Sequence, residues 1–167
     1  MDQFTRAQAA QLLKTNPRKI EGWVSRGILR PIQAGRGKGN PHQFTFAEIV
    51  RAFMIHETQE NLGTQFIRPR IVSEHLHNRL SDKKIHRDRK RIEKSGWLEK
   101  WLGPRRRYPV GESDDLIIYI GASGEDLLIL TREAEYTRDM DTSVLRLNLS
   151  STIKTMIYRI HTLKQSA

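Results

Sequence analysis

Cysteine is absent from this chain of 167 residues, which excludes disulfides, thiolate zinc sites, iron–sulfur clusters and thiol nucleophiles. A cysteine-free composition suits a reducing compartment. No apolar run approaches the roughly 20 residues that span a bilayer, and the opening residues MDQFTRAQ lack the apolar segment of a secretory signal. We therefore expect a cytoplasmic protein that has no membrane partner.

Common catalytic motifs are missing as well. The run Gly121-Ala122-Ser123-Gly124 falls short of the G-x-S-x-G nucleophile elbow, and no H-E-x-x-H is present. His75 and His77 are two residues apart and would face different sides of a helix. Four acidic residues flank a predicted hairpin and fit either a nuclease-like cluster or solvated strand ends: Asp114, Asp115, Glu125 and Asp126. We expect no enzymatic activity, no metal and no cofactor.

Positive charge is abundant and unevenly distributed. The chain has 29 Lys and Arg against 19 Asp and Glu. Residues 1–110 hold 23 basic and 10 acidic side chains, whereas residues 111–167 hold 6 and 9. This asymmetry predicts a region that binds a polyanion, joined to a region with another role, although a merely basic soluble protein would have the same composition.

Two short helices are predicted at the N-terminus. Thr5 and Gln8 have the spacing of a capping box, and the helix that follows needs to reach only about Lys14. Asn16-Pro17 then begins a second helix, since Asn is a strong N-cap and Pro suits the first helical position. Gly27 is placed to end it.

The second helix is the candidate for recognition of nucleic acid. Ile20, Trp23 and Val24 recur at the spacing of a buried stripe. The other side carries the residues that we expect to contact DNA: Arg18, Lys19, Gly22, Ser25 and Arg26. A glycine there lowers helix stability but lets the helix axis approach a groove closely. A simple helical hairpin is the alternative.

A glycine-rich loop follows, with Arg36 and Lys38 at its tip. Its flanks, Leu29/Ile32 and Phe44/Phe46, are predicted to pair as a hairpin whose tip contacts phosphates. A nucleotide-binding loop is disfavoured because Lys38 precedes Gly39 rather than Ser or Thr. Thr45 and Glu48 then form a second predicted capping box, before an amphipathic helix that ends near Asn61-Leu62-Gly63. Its apolar stripe recurs at helical spacing and is predicted to be core: Phe46, Ile49, Val50, Phe53 and Met54.

These features together resemble the N-terminal domain of the MerR family of transcriptional regulators. The resemblance is carried by Trp23-x-x-x-Gly27-Ile28-Leu29-x-Pro31, then the loop, then Phe44-Thr45-Phe46-x-x-Ile49-Val50. It implies a winged helix-turn-helix in which the second helix enters the major groove and the wing holds the flanking backbone. His42 stands where the wing of that family usually has Arg, so the resemblance implies a phosphate contact there that is weaker or depends on pH. The glycine-rich wing is also similar to that of phage DNA-packaging subunits.

The middle of the chain is strongly basic. Residues 69–80 predict a helix, and a basic helix that ends at Gly96 follows. Ile85-His-Arg-Asp and Ile92-Glu-Lys-Ser-Gly-Trp-Leu resemble the recognition helix of DeoR-like regulators. The region is either a second winged helix or a solvated basic helix with a linker. In both cases we expect phosphate contacts from the cations of this region: Lys83, Lys84, Arg87, Arg89, Lys90, Arg91, Arg105, Arg106 and Arg107.

The acidic C-terminal part predicts a small strand and helix module. Residues 115–120, 127–131 and 144–149 are strand candidates. Ser150 or Ser151 would cap a final helix with Ile153, Met156 and Ile160 on one side. The apolar content of this module is modest, so we expect it to form a homodimer or to bind a protein partner.

The fold class predicted from the sequence is therefore α+β, in three parts. Residues 1–62 form the winged helix-turn-helix, residues 63–110 the basic helical region, and residues 111–167 the C-terminal module. The function we expect is that of a sequence-specific transcriptional regulator of double-stranded DNA. The alternative is a DNA-binding adaptor with a protein partner, such as an antitoxin-type repressor or a phage packaging subunit.

Overall fold

The computed structural model describes residues 2–32, 42–62, 69–98, 117–119, 129–131 and 147–165. Strand β1, Gln3–Thr5, pairs antiparallel with β2, Gln43–Thr45, with buried Phe4 opposite buried Phe44. The predicted pairing of Phe44 and Phe46 with Leu29 and Ile32 is seen only in part, because β2 pairs with β1 and neither Leu29 nor Ile32 lies in a described strand. Among the described residues, one backbone hydrogen bond joins the two flanks, from Ile32 N to the carbonyl oxygen of Gln43 at 2.8 Å.

Strand β1 was missed because its residues precede a correctly predicted cap. Thr5 is the N-cap of α1, Arg6–Leu12, and accepts from the backbone N of Gln8 at 3.3 Å, while Oε1 of Gln8 accepts from the backbone N of Thr5 at 2.9 Å. An N-cap residue has extended backbone angles. Phe4 therefore lies outside the helix, in position to pair with Phe44.

Helix α2, Pro17–Ser25, begins and ends as predicted. Oδ1 of Asn16 accepts from the backbone N of Lys19 at 2.7 Å, and Pro17 occupies the first helical turn. Gly27 has a φ of 69°, in the left-handed region that favours glycine and ends helices. Ile20 and Trp23 are buried and Val24 is half-buried.

Helix α3, Phe46–Leu62, supplies much of the core. Phe46, Ile49, Val50 and Met54 are fully buried, as their spacing predicted. The second capping box forms only by half: Thr45 Oγ1 accepts from the backbone N of Glu48 at 3.1 Å. The Glu48 carboxylate instead accepts from the backbone N of Arg30 at 2.6 Å.

Two further helices follow in the basic region. Helix α4 spans Pro69–Arg79 and buries Val72 and Leu76. Helix α5 spans Asp82–Lys94, with Ser81 as its N-cap and Gly96 at a φ of 64° beyond its end. Its buried residues are Ile85 and Ile92. The wing that a second winged helix would have after α5, with Arg105, Arg106 and Arg107, lies outside the described residues.

The C-terminal part contains a three-stranded antiparallel sheet and a helix. Strand β3, Ile117–Tyr119, lies between β4, Ile129–Thr131, and β5, Leu147–Asn148. Helix α6, Leu149–Gln165, follows β5 directly. The prediction that Ser150 or Ser151 caps this helix was wrong, since both serines lie in its first turn.

Helix α6 packs into the same core as the N-terminal helices. It contacts α1, α3 and α5, and its buried residues join one continuous apolar cluster with those of α1 to α5. Nη1 of Arg159 on α6 also donates to the Leu12 carbonyl oxygen at the end of α1. The described part of the chain is thus mostly helical with two small antiparallel sheets, an α+β arrangement. All three predicted regions contribute helices to its core.

Candidate nucleic-acid interface

One side of α2 is turned away from the core. At 100° per residue, Arg18, Gly22 and Ser25 lie opposite the buried residues Ile20 and Trp23. Arg18, Ser25 and the cap residue Arg26 are exposed, and Gly22 is half-buried. Arg18 has no ion pair with another described residue, so its guanidinium is available to an external partner.

Gly22 lies beneath the side chain of Arg26. A Cβ atom at Gly22 would be 3.5 Å from Nη2 of Arg26, an ordinary van der Waals contact with the end of a flexible side chain. The Ser25 hydroxyl donates to the Gly22 carbonyl oxygen at 3.0 Å. Packing among the described residues therefore does not require glycine at this position.

Lys19 points in another direction from Arg18. Its Nζ is 3.3 Å from Nδ1 of His56 and 3.4 Å from Oε1 of Glu60, both on α3, and 5.4 Å from the ring centroid of Trp23. Lys19 was predicted to contact DNA, but in the structure its ammonium group joins α2 to α3.

These surroundings shift the pKa of His56. Burial, and then the nearby Lys19 ammonium, lower the pKa of the imidazole below 6.5, against the opposing effect of Glu60 and Glu57. The edge of its ring meets Trp23, with the ring centroids 6.2 Å apart. A neutral imidazole in this position supports the inner side of α2.

The predicted wing falls largely outside the described residues. His42 is half-buried and directly precedes β2. Five predicted phosphate contacts lie outside the described ranges: Arg36, Lys38, Arg105, Arg106 and Arg107.

Helix α5 carries the remaining predicted contacts. Arg87 and Arg91 are exposed, and the guanidinium of Arg91 is 4.0 Å from the Asp88 carboxylate. Lys84 is half-buried at the flank of the helix. Lys83 and Lys90 are exposed as well, and so is Lys94, which was not among the predicted contacts.

Arg89 was also predicted to contact phosphate, but in the structure it holds α5 to the rest of the chain. Its guanidinium donates to Asp2 and to Glu93, each at 2.7 Å, and lies 4.3 Å from the centroid of the Phe46 ring. Burial acts to lower the pKa of Arg89, but its hydrogen bonds to Glu93 and Asp2 outweigh burial and raise the pKa. The hydrogen bond from Arg89 is also the main reason that the pKa of Asp2 is lowered.

A buried polar network, absent from the predicted site, connects the backbone of Arg30 with α4 and α5. Oε2 of Glu48 lies 3.1 Å from Nη1 of Arg51 and 2.9 Å from Nε2 of His77, while Oε1 accepts from the backbone N of Arg30. Arg51 also donates to the Leu80 carbonyl oxygen and pairs with Asp82. The only hint in the sequence is a Glu and an Arg three residues apart in an otherwise apolar stretch.

Comparison with known proteins finds neither a matching family model nor a matching curated sequence. Within the described ranges, no three His, Asp or Glu side chains gather as metal ligands. None of the helices in those ranges has the length and apolar character needed to cross a membrane.

Proposed function

We propose that this chain is a sequence-specific DNA-binding protein that regulates transcription in the cytoplasm. Its second helix would enter the major groove, and its glycine-rich wing would contact phosphates. The observation that carries the proposal is the outward face of α2, where exposed Arg18, Ser25 and Arg26 surround a glycine that internal packing does not require. In helix-turn-helix proteins the second helix is the element that presents side chains to base edges in the major groove.

The surroundings of α2 favour rigid presentation of that face. Asn16 caps its start, Gly27 ends it, and Lys19 joins its inner side to α3. Arg18 lies in the first turn, and the N-terminal residues of a recognition helix are the ones that contact bases. A bidentate contact from Arg to guanine is the commonest specific contact in the major groove.

Two copies of the chain would bind neighbouring half-sites, as most helix-turn-helix regulators do. The apolar side of α6 is buried within the chain, through Ile153, Met156 and Ile160. Contact between the two copies would therefore use other surfaces of residues 111–167. The oligomeric state in solution, measured by sedimentation, tests this part of the proposal: a monomer on DNA would contradict it.

The first prediction concerns Arg18. A preferred duplex is selected from a randomised library, and binding of Arg18→Ala is compared on that duplex and on a scrambled one. Loss of a base contact should weaken binding to the preferred duplex by roughly 1–3 kcal/mol. Binding to the scrambled duplex should change little, because it depends on phosphate contacts elsewhere.

The matched control for this experiment is Arg70→Ala. Arg70 is an exposed cation on α4 that pairs with Glu74 at 3.1 Å, so its removal costs the same charge without touching α2. Arg70→Ala should preserve the preference. If Arg18→Ala instead weakens both duplexes equally, α2 does not contact bases and the proposal is overturned.

A further inference from the structure

Four cations form a stripe along the outer side of α5. Lys83, Arg87, Lys90 and Lys94 are spaced at i, i+4, i+7 and i+11, which places them within about 60° of one another around the helix axis. All four are exposed, and they lie opposite the buried residues Ile85 and Ile92. We call these four residues the α5 stripe.

The acidic residues of α5 are engaged away from the stripe. Asp82 pairs with Arg51, Asp88 is 4.0 Å from Arg91, and Glu93 is 2.7 Å from Arg89. No member of the α5 stripe forms an ion pair with another described residue. The stripe is therefore a line of positive charge that the rest of the described chain leaves uncompensated.

The helix beneath the stripe is firmly held. Ser81 caps its start and accepts from the backbone N of Lys84 at 3.3 Å. Arg89 joins its middle to Asp2 and to the Phe46 ring, and the buried Arg51 binds Asp82 in its first turn. A fixed row of charges loses less conformational freedom on binding than a row on a flexible segment would.

We infer that the α5 stripe binds the phosphate backbone of duplex DNA as a second contact surface, separate from α2. This inference rests on the proposed function and adds a binding surface to it. Eleven residues of helix span about 16 Å, and duplex DNA carries a phosphate charge for roughly every 1.7 Å of its axis. Every cation in the stripe can therefore meet a phosphate, without regard to base sequence.

The stripe and the recognition helix are attached to different parts of α3. Arg89 of α5 lies over Phe46 at the start of α3, whereas Lys19 of α2 reaches His56, ten residues later. Ten residues of helix correspond to about 15 Å. In this arrangement α2 contacts bases, and the α5 stripe binds the phosphate backbone of the DNA at a second location.

An anionic membrane is the competing partner for a basic amphipathic helix. A helix that lies in a bilayer surface inserts its apolar side among the lipid chains. The apolar side of α5 is already buried in the core, with Ile85 at 0% and Ile92 at 6% exposure. Only its charged side is free, and this favours DNA.

The test changes the charge of the stripe and keeps the helix. In the full chain, Lys83→Gln, Arg87→Gln, Lys90→Gln and Lys94→Gln are combined, since Gln is a good helix former. Affinity is measured on the preferred and scrambled duplexes across salt concentrations. The slope of log affinity against log salt should become shallower by about 3.6, at roughly 0.9 per lost contact. The ratio of affinities for the two duplexes should stay within about twofold, because backbone contacts carry no sequence information.

A matched pair of variants separates the stripe from net charge. Lys90→Gln/Lys94→Gln removes two stripe cations, and Arg70→Gln/Arg79→Gln removes two exposed cations from opposite sides of α4. The first should reduce the slope by about 1.8, and the second should leave it unchanged. Circular dichroism confirms that each variant is folded.

Two results would overturn the inference. One is an unchanged salt slope in the fourfold variant; the proposed function would still stand if Arg18→Ala lowered the preference. The other is stripe-dependent binding to vesicles of equal parts phosphatidylglycerol and phosphatidylcholine, with duplex binding independent of the stripe. If the fourfold variant weakens binding while Arg18→Ala leaves the preference intact, the stripe is supported and the role of α2 fails.

Discussion

At the scale of single residues, cations of the same type have different roles according to their partners. Arg89 donates to two carboxylates and lies over the Phe46 ring, whereas Arg87, two residues earlier, has no ion pair with another described residue. Lys19 joins α2 to α3, while the adjacent Arg18 is exposed. The partners of Lys19 and Arg89 lie 37 and 87 positions away along the chain, so they leave no local signal. The sequence therefore shows how many cations there are, but not which of them are paired within the chain.

His56 yields a prediction about pH and stability. Its pKa is lowered in the folded chain, chiefly by burial and next by Lys19, with Arg159 adding to the effect and Glu60 and Glu57 opposing it. Because the folded chain favours the neutral imidazole, His56 contributes to the free energy of unfolding. This contribution is fully present above the ordinary pKa of 6.5 and is lost as the pH falls through the lowered folded-state pKa. His56→Gln should flatten the pH dependence of unfolding free energy below 6.5, as measured by urea unfolding at several pH values.

The control for this prediction is Lys19→Met, which removes the ammonium but keeps the aliphatic stem. Without the nearby positive charge, the imidazole is protonated more easily, so the pKa of His56 should rise toward its ordinary value. Titration of the His56 ring by NMR measures this directly. A pKa of His56 that is unaffected by Lys19→Met would show that the cation does not influence it.

At the scale of elements, local chemistry predicted helix ends better than strand partners. The caps at Thr5, Asn16 and Gly27 were confirmed, because a cap is formed by residues only three or four positions apart. The pairing of β2 with β1 was not predicted, because Phe4 and Phe44 are 40 positions apart and the flank before the glycine-rich loop is nearer along the chain. The burial of the apolar stripe of α3, which was predicted from spacing alone, was confirmed for Phe46, Ile49, Val50, Phe53 and Met54.

Glu48 shows how tertiary partners override a local motif. Its spacing from Thr45 predicted a reciprocal capping box, and the backbone half of that box forms. The carboxylate turns instead to the Arg30 N–H, Arg51 and His77, because a charge that is 4% exposed must find partners within the core. The Arg51 guanidinium and the Arg30 backbone come from separate elements, and local spacing contains no information about them.

The cap of α2 gives a prediction at this scale. Asn16→Ala removes the acceptor for the Lys19 backbone N–H, which lies 2.7 Å away, and should lower the free energy of unfolding by about 1 kcal/mol. Asn16→Asp keeps an acceptor and should leave stability nearly unchanged. Chemical unfolding followed by circular dichroism measures both. Equal losses in the two variants would mean that the hydrogen bond contributes nothing to the effect of Asn16→Ala.

At the scale of the whole molecule, the last helix completes a core that the first helices begin. Met156 and Ile153 of α6 are fully buried in the cluster that contains Leu12 of α1 and Phe53 of α3. The sequence predicted the apolar side of α6 correctly and proposed dimerisation or partner binding for the C-terminal module. Periodicity indicates which side of a helix is buried, but it does not indicate which element covers that side.

A shared core predicts that distant parts of the chain unfold together. Met156→Ala deletes a fully buried side chain and should cost roughly 2–5 kcal/mol, because the cavity adds to the lost transfer energy. Both chains that are compared carry Trp97→Phe and Trp101→Phe, so that Trp23 is the single tryptophan. The loss of stability should then appear equally in far-ultraviolet circular dichroism and in the fluorescence of Trp23. Thr162→Ala, at an exposed position of α6, should leave the midpoint in place. If Met156→Ala lowered the circular dichroism midpoint but not that of Trp23, α6 would belong to a unit that unfolds separately from α2.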